Sequence, residues 1–283
     1  MRKNTIIRTF AGMALLLITG MEVSAQKDKE TKESSNEQLV VPLSSPGKHY
    51  SLRVGITTGS IKVVSYPGKE IVIDVHSRGR GSDDGDRDEG TGMRRIHTPD
   101  GYEVTAHEDD NNVTVHNSNP NKSMDLSLKI PQDVKLTLST VNGGDIDVEN
   151  IKGEIEVQDV NGSIRLTNIE GSVVANSVNG GVTVSFLSVD PKAPMAFSTL
   201  NGNVDVTLPA STKANLKLKS DRGEIFSDFD IAIDKSEPKV VKSSDNKMYK
   251  LEKEDWVKGT INGGGVEILM KNMQGGIYIH KAK

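Results

Sequence analysis

Glycine recurs at a fixed interval in the middle of the chain. Four successive nine-residue intervals separate the glycines at positions 144, 153, 162, 171 and 180. The residues two and four positions after these glycines are apolar: Ile146 and Val148, Ile155 and Val157, Ile164 and Leu166, Val173 and Ala175, and Val182 and Val184. An apolar residue at every second position is typical of a β-strand with one buried face, and glycine is typical of turns. The repeat therefore predicts a stacked or coiled array of short strands.

The type of residue that precedes each glycine repeats over a longer interval. Asn161 and Asn179 are separated by two of the nine-residue intervals, and so are Lys152 and Glu170, which occupy the same position in the repeats between them. We therefore predict a coil of two strands and two turns, about 18 residues long, with Asn-Gly turns along one edge and charged-Gly turns along the other. In such a flattened β-solenoid, successive coils lie ~4.8 Å apart and like residues stack. An antiparallel meander is the alternative; it explains the nine-residue spacing but not the two alternating kinds of turn.

The same alternation continues on both sides of the repeat with looser spacing. The step from Gly180 to Gly202 is longer than two nine-residue intervals, which indicates a four-residue insertion within residues 188–194. Residues 247–258 are the one stretch compatible with an amphipathic helix. With no linker to divide it, the pattern predicts a single all-β domain, a β-solenoid (β-helix), over residues 39–283. The residues predicted to form its structural turns are Gly144, Gly153, Asn161, Gly162, Gly171, Asn179, Gly180, Asn201, Gly202, Asn262 and Gly263.

The first 38 residues have a different composition. Positive charges at Arg2, Lys3 and Arg8 precede a short apolar run, and small residues come before Gln26, which is typical of a signal peptide over residues 1–25. The apolar run is about 11 residues, shorter than the roughly 20 that span a bilayer, although a membrane anchor is the alternative interpretation. Residues 26–38 contain no apolar side chain and predict a flexible linker. We therefore expect an exported protein, periplasmic, secreted or at the cell surface.

The composition excludes several classes of function. The chain has no cysteine, which excludes disulfides, cysteine-ligated metals, a thiol nucleophile and lipid attachment through cysteine. It carries 35 Lys and Arg against 39 Asp and Glu, a formal net charge of -4, so that it offers no basic surface for a nucleic acid. Neither a P-loop nor a G-x-S-x-G motif is present. We assign no catalytic residue, no cofactor and no metal ligand.

A row of carboxylates on one strand is the strongest candidate for a polar site. Asp145, Asp147 and Glu149 alternate outward, and the predicted coil places Arg165 and Thr167 beside them. The row has two interpretations, a cation or sugar site, or a solvated sheet face with paired charges. The second is the more common arrangement.

Two other groups of polar residues resemble metal sites only in part. In the acidic insertion at residues 78–94, Asp84, Asp86 and Asp88 have the spacing of a calcium loop, but the sixth and twelfth positions hold Glu89 and Arg95 instead of Gly and Glu. We interpret this segment as a charged loop. A second, looser cluster comprises His97, His107 and His116 with the neighbouring carboxylates of residues 108–110.

Aromatic residues are 4% of the chain, which argues against a long groove for a polysaccharide. Trp256 is the single tryptophan, and none of the five tyrosines recurs at the coil period. A single site at one end, near Trp256 and Tyr249, is compatible with this distribution.

A longer motif accompanies three of the repeats. Residues 140–143 read T-V-N-G, residues 199–204 read T-L-N-G-N-V and residues 260–265 read T-I-N-G-G-G, with Ile-Pro at 130–131 and Leu-Pro-Ala at 208–210. Over residues 50–283 the chain resembles the bacterial adhesin-like domain family of unknown function, a glycine-rich β-repeat family of cell envelopes. The resemblance implies an exported or envelope-associated β-helical domain in which adhesion is conjectured, and it transfers no catalytic residues. The insertions at 78–94 and 234–258 depart from the family pattern.

The first hypothesis for function is therefore a non-catalytic envelope or surface protein, structural or adhesive, that contacts a protein or a glycan through its long faces. The alternatives are an envelope-stress or regulatory partner protein and a β-helical enzyme that acts on polysaccharides. We expect no nucleic-acid partner, and no membrane span in the mature chain. The oligomeric state stays open.

Overall fold

A computed structural model describes residues 37–77, 101, 103–235, 240–245, 248–253 and 255–283. These residues form strands and connecting turns, and no helix among them is long and apolar enough to cross a membrane. The all-β prediction is confirmed. The insertion at 78–94, with its three aspartates, and the predicted signal peptide lie outside the described residues.

The strands fall into two sets by position in the chain. The first half contains β1 (Glu37–Pro42), β2 (Tyr50–Gly55), β3 (Ile61–Ser65), β4 (Glu70–Ser77), β5 (Val104–Asp109), β6 (Asn112–Asn117), β7 (Met124–Ile130), β8 (Asp133–Asn142), β9 (Ile146–Glu149), β10 (Lys152–Asn161) and β11 (Ile164–Asn179). The second half contains β12 (Val182–Val189), β13 (Met195–Asn201), β14 (Val204–Leu208), β15 (Ala214–Ser220), β16 (Ile225–Ser227), β17 (Ala232–Ile233), β18 (Val240–Asp245), β19 (Met248–Lys253), β20 (Val257–Ile261), β21 (Val266–Gln274) and β22 (Ile277–Lys281).

Hydrogen bonding arranges the strands in two long faces, which we call face A and face B. Face A has the order β5-β6-β2-β8-β10-β11-β13-β21-β15-β20-β17. Face B has the order β1-β4-β7-β3-β9-β11-β12-β14-β22-β16. Strand β11 belongs to both faces, because the chain bends at Asn168, whose φ is 57°. The result is a solenoid-like fold in which both faces belong to one 20-stranded sheet of the described residues and enclose one core.

The strands in the centre of both faces are parallel and in regular register. Ile155 pairs with Val173, and Ile164 pairs with both Ile146 and Val182, so that paired residues are two nine-residue intervals apart in the chain. After the loop at residues 190–194, the separation in the chain between paired residues is larger by four positions, as between Val182 and Val204. The antiparallel meander is wrong for this region, since consecutive strands of a meander would run in opposite directions.

The core consists of columns of apolar side chains between the two faces. Each coil adds one residue to a column, and the residues of the main column are at most 1% exposed: Leu126, Ile61, Ile146, Ile164, Val182, Val204 and Ile277. Burial of a Val, Leu or Ile side chain contributes about 1.5–3 kcal/mol relative to an exposed one. Stacking of like residues therefore stabilises every coil against its neighbours.

The coils do not follow one another in chain order at the two ends. The first coil, β2 and β3, lies between β6–β7 and β8–β9. The last coil, β21 and β22, lies between β13–β14 and β15–β16. Residues from distant parts of the chain consequently become neighbours on the outer faces.

The predicted turn residues occupy two kinds of position. Gly153 and Gly171 lie in β10 and β11 and have positive φ, with values of 130° and 133°; Asn150 and Asn168, three residues before them, also have positive φ, with values of 59° and 57°. An asparagine and the glycine of a charged-Gly pair therefore both adopt positive φ at this edge. The other predicted turn residues lie at strand ends or between strands: Gly144, Asn161, Gly162, Asn179, Gly180, Asn201, Gly202, Asn262 and Gly263.

Two glycines at the Asn-Gly edge are needed for a reason other than φ. Gly162 and Gly180 do not have positive φ, in contrast to the expectation for a tight Asn-Gly turn. A Cβ atom at Gly162 would lie 2.1 Å from the carbonyl oxygen of Gly144, and one at Gly180 would lie 2.0 Å from that of Gly162. The glycines thus allow the backbones of successive coils to approach each other closely.

The boundaries of the domain differ slightly from the prediction. Strand β1 begins at Glu37, inside the segment 26–38 that we interpreted as a linker. Residues 247–258 contain β19 and the start of β20 rather than an amphipathic helix. Strands β18 and β19 form a separate two-stranded antiparallel sheet.

Candidate functional site

Face B carries a column of outward side chains with one residue from each coil. The strand register places these residues in the order Ser127, Lys62, Asp147, Arg165, Thr183, Asp205, Tyr278 and Phe226. We call this set the outer column. Its middle part contains the charged residues Lys62, Asp147 and Arg165, and it ends with the aromatic residues Tyr278 and Phe226.

The charged part of the outer column is a network of ion pairs. Nη1 of Arg165 lies 2.9 Å from Oδ2 of Asp145 and 3.1 Å from Oδ1 of Asp147, so that the predicted contact between this arginine and the carboxylate row is confirmed. Nζ of Lys62 lies 3.7 Å from Oε1 of Glu149. The backbone N–H of Ser163, and after it Arg165, lowers the pKa of Asp145.

This network fits the second interpretation of the row, a solvated face with paired charges. All its side chains are at least one-third exposed, and exposed pairs of this kind contribute about 0–1 kcal/mol each. Among the described residues no group of three or more His, Asp and Glu side chains is arranged to hold a metal ion.

The aromatic part of the outer column is a stack of rings on the last coils of face B. The rings of Phe226 and Tyr278 are 5.3 Å apart between centroids and 12° from parallel. The ring of His280 lies 6.4 Å from that of Tyr278 and 3° from parallel, which places these two rings side by side on β22. Phe226 is 48% exposed, a high value for a ring that is already stacked on one side. We call these three residues the aromatic platform.

Two carboxylates flank the aromatic platform. Nδ1 of His280 lies 3.1 Å from Oδ2 of Asp228, and Nε2 lies 3.7 Å from Oδ1 of Asp205. The hydrogen bond to His280 is the largest cause of a lowered pKa for Asp228. Both carboxylates are exposed enough to accept further hydrogen bonds, with side-chain exposures of 59% for Asp228 and 39% for Asp205. Apolar ring surface beside carboxylate oxygens can hold a ligand that has both an apolar face and hydroxyl groups.

Sequence reasoning missed the aromatic platform because its residues are far apart in the chain. Ile225 pairs with the distant Ile277, and this pairing exists because the last coil is inserted beside β14. A signal was nevertheless present, since Phe226 and Tyr278 each come directly after an isoleucine and three positions after a glycine. The absence of a tyrosine at the coil period was therefore not sufficient to exclude an aromatic surface.

A second aromatic site surrounds Trp256. Nζ of Lys217 lies 4.7 Å from the centroid of the indole ring and Nζ of Lys219 lies 5.9 Å from it. Lys219 also lies 2.8 Å from Oδ1 of Asp255. Two lysines thus cover the tryptophan, which reduces its surface for a ligand. The side chain of Tyr249, the other half of the predicted end-on site, lies outside the described residues.

The described members of the histidine cluster do not form a metal site. His107 lies on β5 and His116 on β6, and the register pairs them with Thr114 and Thr105 rather than with each other. The carboxylate of Glu108 accepts hydrogen bonds from Ser44 and from the backbone of Asn111, which connects the β5–β6 turn to the loop after β1. His97 lies outside the described residues.

Asparagines form a ladder along the edge between the two faces. The side-chain amide of Asn161 donates to Oδ1 of Asn142 at 3.3 Å, that of Asn179 donates to Asn161 at 2.9 Å, and that of Asn201 donates to Asn179 at 2.7 Å. Each asparagine therefore joins one coil to the next by side-chain hydrogen bonds that run along the solenoid.

A column of buried polar residues accompanies the asparagine ladder, and four of its members stand two residues before a ladder asparagine on the same strand. Three of its hydroxyl groups donate to glycine carbonyl oxygens of the adjacent coil: Thr140 to Gly59 at 3.0 Å, Ser177 to Gly162 at 3.0 Å and Thr199 to Gly180 at 2.7 Å. The same register position in the coil between Thr140 and Ser177 holds Asp159.

Asp159 differs from the other members of this column. It is 3% exposed, and neither carboxylate oxygen makes a hydrogen bond of good geometry within the described residues, although the backbone N–H groups of Asn161 and Val160 lie close to it. Burial is the main cause that raises the pKa of Asp159 to about 6; the nearby charge of Asp145 adds to the rise, and the backbone N–H groups of Asn161 and Val160 oppose it in part. A protonated Asp159 has the O–H donor that its neighbours in the column use.

Comparison with known proteins identifies a family model that covers most of the chain. The model described as Toastrack DUF4097 matches residues 20–263. The resemblance drawn from the sequence repeats is confirmed by this match. No curated protein matches the chain.

Two solved structures are similar to the chain at low sequence identity. A putative cell adhesion protein from Clostridium sporogenes is 12% identical, with a TM-score of 0.47, and the match covers 87% of this chain and 100% of that chain. A putative adhesin from Bacteroides fragilis is 11% identical, with a TM-score of 0.37, and the match covers 87% of this chain and 98% of that one.

Proposed function

Since the chain belongs to the Toastrack DUF4097 family, we propose that it is a non-catalytic, exported protein of the cell envelope or cell surface that works as a structural or adhesive module. Its scaffold is a β-solenoid in which each coil spans two nine-residue repeats and Asn-Gly pairs align along one edge. The register of β10 with β11, which pairs Ile155 with Val173, supports this description of the scaffold. The pattern of residues 1–25 supports export.

The arrangement of the outer column on face B is the observation that best supports the proposal. It presents one side chain per coil on a sheet whose inner residues are almost completely buried, so that the positions of the outward groups are fixed by the core. A rigid surface loses little conformational entropy when it binds, which favours an extended contact with a glycan or a protein. The ion pairs in the middle of face B and the aromatic platform at its β16 end give this face two chemically different regions.

A binding screen with residues 26–283 tests the proposal. Immobilised glycans and an envelope fraction are incubated with the protein, and bound components are identified by array fluorescence and mass spectrometry. The proposal predicts saturable binding of a component that persists at high salt. Absence of binding to any glycan or envelope component contradicts the adhesive role, and cytosolic recovery of the native protein after cell fractionation contradicts export.

A further inference from the structure

We propose that the aromatic platform of Phe226, Tyr278 and His280 is a binding site for neutral hexopyranose units of a glycan. This inference rests on the proposed function, because it names the ligand class and the place of contact on face B. The C–H groups of a pyranose ring pack on an aromatic face, and the hydroxyl groups of the same ring donate to carboxylates.

The exposed side of Phe226 is the surface on which a sugar ring can pack. Strand β16 is hydrogen-bonded to β22 and to no other strand in the described part of the chain. The ring of Phe226 therefore has Tyr278 on one side and, within the described ranges, no neighbouring strand on the other, which agrees with its exposure of 48%. An exposed phenyl ring of this size has a substantial apolar area to remove from water.

The backbone fixes the position of the second ring. The ring of Tyr278 lies over Gly276, where a Cβ atom would come within 2.7–2.9 Å of ring atoms Cε2, Cζ and Oη. The N–H of Gly276 donates to Oδ1 of Asn203 on the neighbouring coil at 2.9 Å, which holds this backbone in place. A platform that is already ordered costs less entropy when it binds than one formed by mobile side chains.

The charges around the platform select among sugars. Asp205 and Asp228 both contact His280, and their exposed oxygens lie beside the rings. These carboxylates can accept hydrogen bonds from sugar hydroxyl groups and repel the carboxylate of a uronic acid or a sulfate ester. We therefore assign neutral sugars to the site and exclude acidic polysaccharides.

The test is an array of neutral, amino and uronic-acid glycans probed with residues 26–283, followed by calorimetric titration of the strongest neutral oligosaccharide. Phe226→Ala and Tyr278→Ala are expected to weaken binding about tenfold or more, since each removes one of the two rings that form the stack. Phe226→Tyr retains the aromatic face and is expected to stay within about twofold of the unmodified protein. Gly276→Ala keeps every aromatic residue but displaces the ring of Tyr278, and it is expected to weaken binding as well.

Leu187→Ala is the matched control, because Leu187 is an exposed apolar residue of β12, a strand that pairs with β11 and β14 and not with β16 or β22. Circular dichroism and thermal melting show that each variant is folded. Binding of uronic-acid glycans alone, or neutral glycan binding that is unaffected by Phe226→Ala and Tyr278→Ala, overturns the inference. If a protein of the envelope fraction binds but no neutral glycan does, the proposed function stands and the glycan site is wrong. If no component binds, the glycan site and the adhesive role are both wrong.

Discussion

The side-chain amide of Asn179 donates to Oδ1 of Asn161, 2.9 Å away in the preceding coil. Asn179 in turn accepts from the amide of Asn201 at 2.7 Å, so that its side chain connects three coils. The hydrogen bonds run perpendicular to the strands, in the same direction as the backbone bonds of the two faces. The edge of the molecule is thereby joined by side chains as well as by backbone.

Replacement of Asn179 by Asp tests the ladder. The carboxylate still accepts from Asn201, but it cannot donate to Asn161 and faces its carbonyl oxygen. We expect a loss of about 1 kcal/mol in the free energy of unfolding at pH 7, measured by urea denaturation. Glu154→Ala, which removes one exposed ion pair with Lys135, is the control and is expected to change stability by less than about 0.5 kcal/mol. Equal effects of the two substitutions would contradict a stabilising ladder.

Two adjacent glycines give a sharper test of the coil spacing. A Cβ atom at Gly180 would lie 2.0 Å from the carbonyl oxygen of Gly162, whereas the nearest atom to a Cβ at Gly181 is the carbonyl oxygen of Asn203 at 3.5 Å. Neither residue has positive φ, so that the two sites differ in space rather than in backbone conformation. We expect Gly180→Ala to destabilise the protein by more than about 2 kcal/mol and Gly181→Ala by much less.

Thermal melting of both variants under one set of conditions makes this comparison. A Gly180→Ala variant as stable as Gly181→Ala would mean that the coils are not in close contact at this edge.

Asp159 makes the stability depend on pH in a defined direction. In the unfolded chain this carboxyl group ionises at its ordinary pKa of about 3.9, whereas in the folded protein burial raises its pKa to about 6. Below about pH 4 both states hold the proton. Between about pH 4 and 6 the unfolded state loses it first, so that the contribution of Asp159 to stability falls as the pH rises, by ~3 kcal/mol at most.

The variant Asp159→Asn isolates this effect, since asparagine is uncharged and has an N–H donor, which Asn272 in the same column uses to bind the carbonyl oxygen of Gly202. Urea denaturation at pH 4 and pH 7.5 is expected to show a variant that is more stable than the unmodified protein at pH 7.5 and nearly equal to it at pH 4. The same difference at both pH values would contradict a protonated, buried Asp159.

The sequence was sufficient to predict the centre of the molecule, where neighbours in space are one coil apart in the chain. The parallel stacking of Ile155 on Val173 and the contact of Arg165 with Asp147 both follow from a step of two nine-residue repeats. The unusual position of Asp159 was also visible in the sequence, since it stands two residues before Asn161 where other repeats have Thr140, Ser177 or Thr199.

The ends of the solenoid could not be predicted in the same way. The coil of β21 and β22 is inserted beside β13 and β14, and no local pattern in the sequence specifies this pairing between distant segments. The stack of Phe226 on Tyr278 depends on it, and so the aromatic platform was missed. At the Asn150 edge the sequence pattern pointed to Gly153 and Gly171, but it did not point to Asn150 and Asn168, which also have positive φ there.

Disulfide formation in designed cysteine pairs tests the coil directly, because the chain has no cysteine of its own. Gln158 pairs with Asn176 on the next coil of face A, whereas Arg165 lies on face B. Paired residues on neighbouring strands are close enough for a disulfide, which needs Cα atoms about 4.4–6.8 Å apart. Mild oxidation is expected to cross-link Gln158→Cys/Asn176→Cys and to leave Gln158→Cys/Arg165→Cys reduced, as measured by mass spectrometry of peptides. A cross-link between positions 158 and 165, with none between 158 and 176, would contradict the stacked coils and indicate an antiparallel meander.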